Sequence, residues 1–150
     1  MRNRFAAVIG VIISLCLLVS CAYRPPLQTT SGRPEVTIPG ASPSEVSNWI
    51  ANNVVNHGWN ILRQADNMLI IGRNETNPFV AAVYGSRYNP TPMKKVTFNI
   101  FTVSGGVRVM ATSQMVTNPG SGFESSTDTT SGDAHGLQTE LEQFKVALAK

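Results

Sequence analysis

The firmest hydrophobic pattern in this chain is its last one. Leu137, Leu141, Phe144 and Leu148 recur at intervals of four, three and four, which predicts an amphipathic helix opened by Asp133. Lys145 and Lys150 near its end suit the helix dipole. Val46, Trp49, Ile50 and Val54 show the same spacing earlier in the chain. There Ser42 can cap, Pro43 suits the first helical position and Glu45 completes a capping box. Gly58, just after His57, supplies the stop. Elsewhere the period shortens to two. Strands are predicted over residues 35–38, 59–62, 68–72, 79–84, 95–103 and 107–116. Ala65-Asp66-Asn67 turns one hairpin, and Ser104-Gly105-Gly106 turns the clearest one. In that second hairpin Val96, Phe98, Ile100 and Thr102 share one face, as do Val107, Val109 and Ala111.

The expected order is therefore β-α-β-β-β-β-β-α, an α+β fold. Each helix has one apolar face and the strands mostly alternate, so a single antiparallel sheet packed by two helices is the natural arrangement. Residues 85–92 (GSRYNPTP) are expected to form a turn-rich loop. Residues 118–132 (NPGSGFESSTDTTSG) are expected to be a long, nearly structureless one. Over residues 35–150 the order of elements resembles the helix-plus-meander domains of periplasmic lipoproteins, including the repeated domains of the outer-membrane assembly lipoprotein BamC. That topological resemblance implies a binding or scaffolding role and transfers no site residue.

The first 20 residues follow a different logic. Arg2 and Arg4 precede an apolar run over residues 5–19, which is shorter than the roughly 20 residues of a spanning helix. It fits the hydrophobic region of a signal peptide. The run ends in Leu18-Val19-Ser20-Cys21, which resembles the lipobox of bacterial lipoproteins. The resemblance implies diacylglycerol on the Cys21 sulfur, cleavage between Ser20 and Cys21, and usually acylation of the new amine. Each buried methylene contributes about 0.8 kcal/mol, so two or three chains would hold the protein in a membrane essentially permanently. Ala22, in place of the Asp that favours inner-membrane retention in enterobacterial lipoproteins, implies the outer membrane, with the domain facing the periplasm. Residues 21–34 then read as the lipidated Cys and a flexible Pro-rich tether, and residues 35–150 as one domain.

Composition changes that picture little. The sequence has 150 residues, and about 130 would remain after cleavage, enough for one small core. The formal charge of +3 falls to near +1 once Arg2 and Arg4 are removed, which gives no basis for nucleic-acid binding. Of the two cysteines, Cys16 would leave with the signal peptide. Cys21 would then be unpaired within the chain, and lipidation accounts for it.

Chemistry is hard to find. His57 sits at a helix end and His135 near the start of the last helix, in no metal-binding spacing. Hydrolase and phosphate-loop motifs are missing, and Glu140 and Glu142 point apart on a helix. No metal, cofactor or catalytic residue is expected. Trp49 and Trp59 read as core. Tyr84, Arg87 and Tyr88 surround the 85–92 loop, and exposed aromatics beside Arg are typical of binding surfaces. That loop, with residues 118–132, is the candidate contact region for an envelope protein partner. A competing expectation is a small-ligand or glycan pocket lined by Trp59, Phe79, Phe98 and Phe101. A third is a cell-wall enzyme, for which His135, Asp133 and a Ser would have to share one cleft.

Overall fold

A computed structural model describes residues 25–149. The segment expected to be a signal peptide and lipobox, with Ser20, Cys21 and Ala22, lies outside the described residues. The order is β1 (Glu35–Pro39), α1 (Pro43–Asn56), β2 (Asn60–Ala65), β3 (Met68–Asn74), α2 (Pro78–Tyr84), β4 (Met93–Val103), β5 (Gly106–Thr117), β6 (Ser125–Asp128) and α3 (Thr130–Leu148). The six strands form one antiparallel sheet in the order β1-β5-β4-β3-β2. Strand β6 pairs with the last residues of β5, on the same edge as β1. The fold is α+β, as the periodicities imply.

Register explains the core. Phe98 faces Ala111 and Leu69, Ile100 faces Val109, and Val96 faces Ile71, so one face of β3, β4 and β5 is continuously apolar. Helices α1 and α3 cover that face with Val46, Ile50, Val54, Leu137, Leu141, Phe144 and Leu148, all buried. The last four are the stripe read from the sequence. Helix α1 begins as expected: the Ser42 hydroxyl accepts the Glu45 N–H at 3.3 Å, and Pro43 occupies the first turn. It ends at Asn56, and Gly58 takes φ +77°, a conformation that a Cβ would disfavour.

Three expectations need correction. Residues 79–84 form helix α2 and not a strand. Asn77 accepts the Phe79 N–H at 2.9 Å and Pro78 stands in the first turn, so local capping overrides the β-prone run Phe79-Val80. Residues 118–132 are not structureless. Ser125–Asp128 pair with Gln114–Thr117, because the free edge of β5 beyond β1 offers unpaired backbone groups. Helix α3 starts at Thr130, earlier than Asp133, after the Asp128 carboxylate accepts the Thr130 N–H at 2.8 Å. The strand lost at 79–84 is replaced by β6, so the strand total agrees with the expected order, but the described residues hold three helices where two were expected.

Both sheet edges are blunted. The Gln138 side chain of α3 reaches the outer edge of β1, accepting the Glu35 N–H at 2.8 Å and donating to the Glu35 carbonyl at 3.1 Å. A side-chain amide thus stands in for another strand. The opposite edge, β2, carries a register shift between Ile61 and Arg63 and is largely exposed. Part of the proposed tether also lies on the domain. Pro34 is buried, the Thr29 hydroxyl donates to the Arg33 carbonyl at 2.7 Å, and the Ser31 hydroxyl donates to Glu35 at 2.7 Å. Short hydroxyl side chains hold this stretch through local hydrogen bonds, which the composition alone did not reveal.

Candidate contact surface

The two loops singled out in the sequence meet in space at the end of β5. Ser86 organises the first. Its hydroxyl accepts the Tyr88 and Asn89 N–H groups at 3.1 and 3.0 Å and donates to the Asn118 side-chain oxygen in the second loop. Asn118 takes φ 52°, a left-handed conformation that Asn tolerates, and its amide donates to the Phe123 carbonyl at 3.3 Å. The Glu124 carboxylate accepts the Gly120 N–H at 2.8 Å. Thr117 closes the base by donating to the Tyr84 carbonyl at 2.8 Å. Gly85 is required by close approach, since a Cβ there would lie 2.3 Å from the Ala81 carbonyl oxygen.

This polar scaffold presents apolar side chains outward. The Tyr88 and Phe123 rings stack with centroids 5.9 Å apart and planes 14° from parallel. Tyr88 is 85% exposed, Phe123 74%, Phe79 83% and Val83 73%. Apart from Val146, these are the most exposed large apolar side chains among the described residues, and all four belong to α2 and the two loops. Phe79 and Val83 are four apart on α2 and so share a helix face. Arg87 is exposed beside Tyr88, whereas Tyr84 is half-buried and contributes its carbonyl to the base. Of the three residues named from the sequence as contacts, Tyr88 and Arg87 are exposed here; Phe79, Val83 and Phe123 were not among them. A signal for Phe123 existed: it is the only large apolar residue in the Gly/Ser/Thr-rich stretch. For Phe79 and Val83 the mistaken strand assignment hid the shared face.

The proposed pocket of Trp59, Phe79, Phe98 and Phe101 does not form. Phe98 is buried in the core, Phe79 belongs to the outer surface of α2, and Phe101 is half-exposed on β4. Trp59 instead lines an open groove of about 550 Å³ with Trp49, between α1 and α3. Neither tryptophan is wholly core: both are half-buried. Trp49 meets Phe144 edge-on at 5.3 Å, and the Arg73 guanidinium lies 4.6 Å from the Trp59 ring centre.

The triad imagined around His135 does not assemble either. Asp133 does meet a serine, accepting from the Ser113 hydroxyl at 2.7 Å, and from the Thr129 hydroxyl at 3.2 Å. His135 points elsewhere, with Nε2 3.0 Å from the Pro25 carbonyl. Ser113 is fully buried, and the Lys94 ammonium sits 2.9 Å from the Asp133 carboxylate. Burial pushes the Asp133 carboxyl up, but hydrogen bonds from Lys94 and Ser113, with the Lys94 charge, outweigh it and hold the group below the usual carboxylate value. A nucleophile needs access and a base; this cluster offers a closed hydroxyl and an ionised, neutralised acid. It acts as a clamp joining α3 to β4 and β5. His57 caps α1, with Nδ1 2.8 Å from the Asn53 carbonyl. Among the described residues no three His, Cys, Asp or Glu side chains gather as metal ligands, and no helix is long and apolar enough to cross a membrane.

Comparison of the chain with protein-family models, with curated proteins and with solved structures finds no match.

Proposed function

We propose that this chain is a bacterial lipoprotein, held to the outer membrane by lipid on Cys21, that serves as a non-enzymatic accessory or scaffold in an envelope complex. The sequence Leu18-Val19-Ser20-Cys21 supports the anchor. The observation that carries the contact role is the outward display of Phe79, Val83, Tyr88 and Phe123 on a hydrogen-bonded base. A polar loop that spends its hydrogen bonds on holding aromatic rings in water suits recognition better than folding. Burying a side chain of this size against a partner contributes about 1.5–3 kcal/mol. Exposed apolar groups in contact with one another, as the Tyr88 and Phe123 rings are, mark interaction sites.

Capture from solubilised envelopes with the native lipoprotein tests this reading. One stoichiometric envelope protein should be retained, and it should be lost with the Tyr88→Ser/Phe123→Ser double variant. Retention of no protein, or of the same protein by the double variant, would overturn it. The anchor is tested by Cys21→Ser, which should abolish acyl labelling and membrane fractionation; unchanged behaviour would remove the lipoprotein assignment. A second reading, small-ligand or glycan binding, is favoured by one observation: both tryptophans line the groove between α1 and α3.

A further inference from the structure

The α1–α3 groove differs in chemistry from the contact surface and shares no residue with it. Its walls hold Trp49 and Trp59, the only tryptophans of the chain. Besides His57, whose Nδ1 is taken up by the Asn53 carbonyl, four polar side chains line it: Asn53 from α1, Arg73 from β3, and Glu140 and Gln143 from α3. Each has a planar polar end able to make paired hydrogen bonds. None of the four makes a side-chain hydrogen bond or ion pair to another described residue; Arg73 is held only by its place over the Trp59 ring. Arg73 and Glu140 line the same groove without pairing, so these two charges together favour neither sign of ligand charge.

We infer that this groove binds a neutral oligosaccharide. A sugar ring joins an apolar C–H face to a rim of vicinal hydroxyls that both donate and accept. Aromatic walls suit the first. Planar amide, guanidinium and carboxylate groups suit the second, because adjacent hydroxyls can bridge the two atoms of such a group. An anionic ligand would satisfy Arg73 but meet Glu140, and a purely apolar one would leave all four polar ends without partners. The open groove, about 550 Å³, admits a chain passing through rather than one enclosed ring. The assignment names the site and ligand class of the glycan-binding reading and is independent of the partner captured through Tyr88 and Phe123.

Because both tryptophans lie in the groove, intrinsic fluorescence reports this site. The full-length protein, in a detergent without a sugar head group, is titrated with neutral tetrasaccharides (tetra-N-acetylchitotetraose, cellotetraose and maltotetraose), with a tetragalacturonate as the acidic counterpart. At least one neutral tetramer should give a saturable change, and Arg73→Ala and Gln143→Ala should each weaken it about tenfold. Both residues are exposed and Arg73 gives up only its place over the Trp59 ring, so melting should fall little, which separates lost binding from lost fold. A Glu140→Gln variant should retain neutral binding. No response to any tetramer would overturn the proposal together with the glycan-binding reading. Response to the acidic tetramer alone would overturn the neutral class and leave a ligand groove. Saturable binding undiminished in both alanine variants would place the sugar elsewhere.

Discussion

Replacing Asp133 with alanine should unfold the join between α3 and the sheet more easily than its half-exposed position suggests. The carboxylate accepts from Ser113, whose side chain is fully buried, and from Thr129, and it faces Lys94 at 2.9 Å. The charge-assisted hydrogen bond to Ser113 is worth about 1.5–3 kcal/mol. The Lys94 pair, partly open to water, adds about 0.5–1 kcal/mol. The first-turn position on α3 adds about 0.3–1 kcal/mol through the helix dipole. These contributions share partners and do not simply add. Ser113 also keeps its contact to the Thr129 hydroxyl at 3.0 Å, which limits the damage. A loss of about 2–4 kcal/mol at pH 7 is expected, read from urea denaturation followed by tryptophan fluorescence. The pH dependence supplies a second check. The folded-state carboxyl is held below its usual value of 3.8, so its contribution is complete at neutral pH and fades as pH falls through the depressed folded value. The gap between wild type and Asp133→Ala should therefore hold steady from pH 7 down to the usual carboxylate value of 3.8 and narrow as pH falls further. Glu35 and Asp128 are held low too, but they are common to both proteins and cancel in the difference. A gap under about 1 kcal/mol at pH 7, or one that stays constant into acid, would refute the clamp.

Other consequences are as direct. Gln138→Ala removes the partner of the Glu35 N–H and carbonyl at the β1 edge and should cost about 1–2 kcal/mol; hydrogen exchange of the Glu35 amide should quicken with it. Gly106→Ala would put a Cβ 2.2 Å from the Ile38 carbonyl oxygen, so β1 must shift, at about 1–3 kcal/mol in thermal or denaturant unfolding. Phe123→Ser should lose no more than about 1 kcal/mol, because it breaks only the exposed stack on Tyr88 while leaving the Ser86–Asn118 base intact. A larger loss would make the surface part of the fold rather than a contact site.

Much of the architecture was legible in the chain. A long segment with one buried face must repeat at the helix or strand period, so α1, α3, β4 and β5 declare themselves wherever the core is apolar. Gly58 and the Ser42-Pro43 start added boundaries because capping is local chemistry. The candidate loops were legible only as composition: Tyr88 and Arg87 stood out, while their meeting with Phe123 did not. The errors fall where the deciding partner is distant or the segment is short. Residues 79–84 are too few for a periodicity to settle their state, and the cap at Asn77 prevailed. The polar Ser125–Asp128 segment became a strand because β5 extends past β1 and offers a free edge, a fact of pairing rather than of local sequence. The sequence by itself determined the α+β class and the core stripes. Only the tertiary structure decided that Trp49 and Trp59 share a groove, that Asp133 clamps a buried serine while His135 turns away, and that the exposed Tyr88 and Phe123 rings stack. Periodicity reports which side of one element is buried; it carries no information about which elements meet, and these sites are made where elements meet.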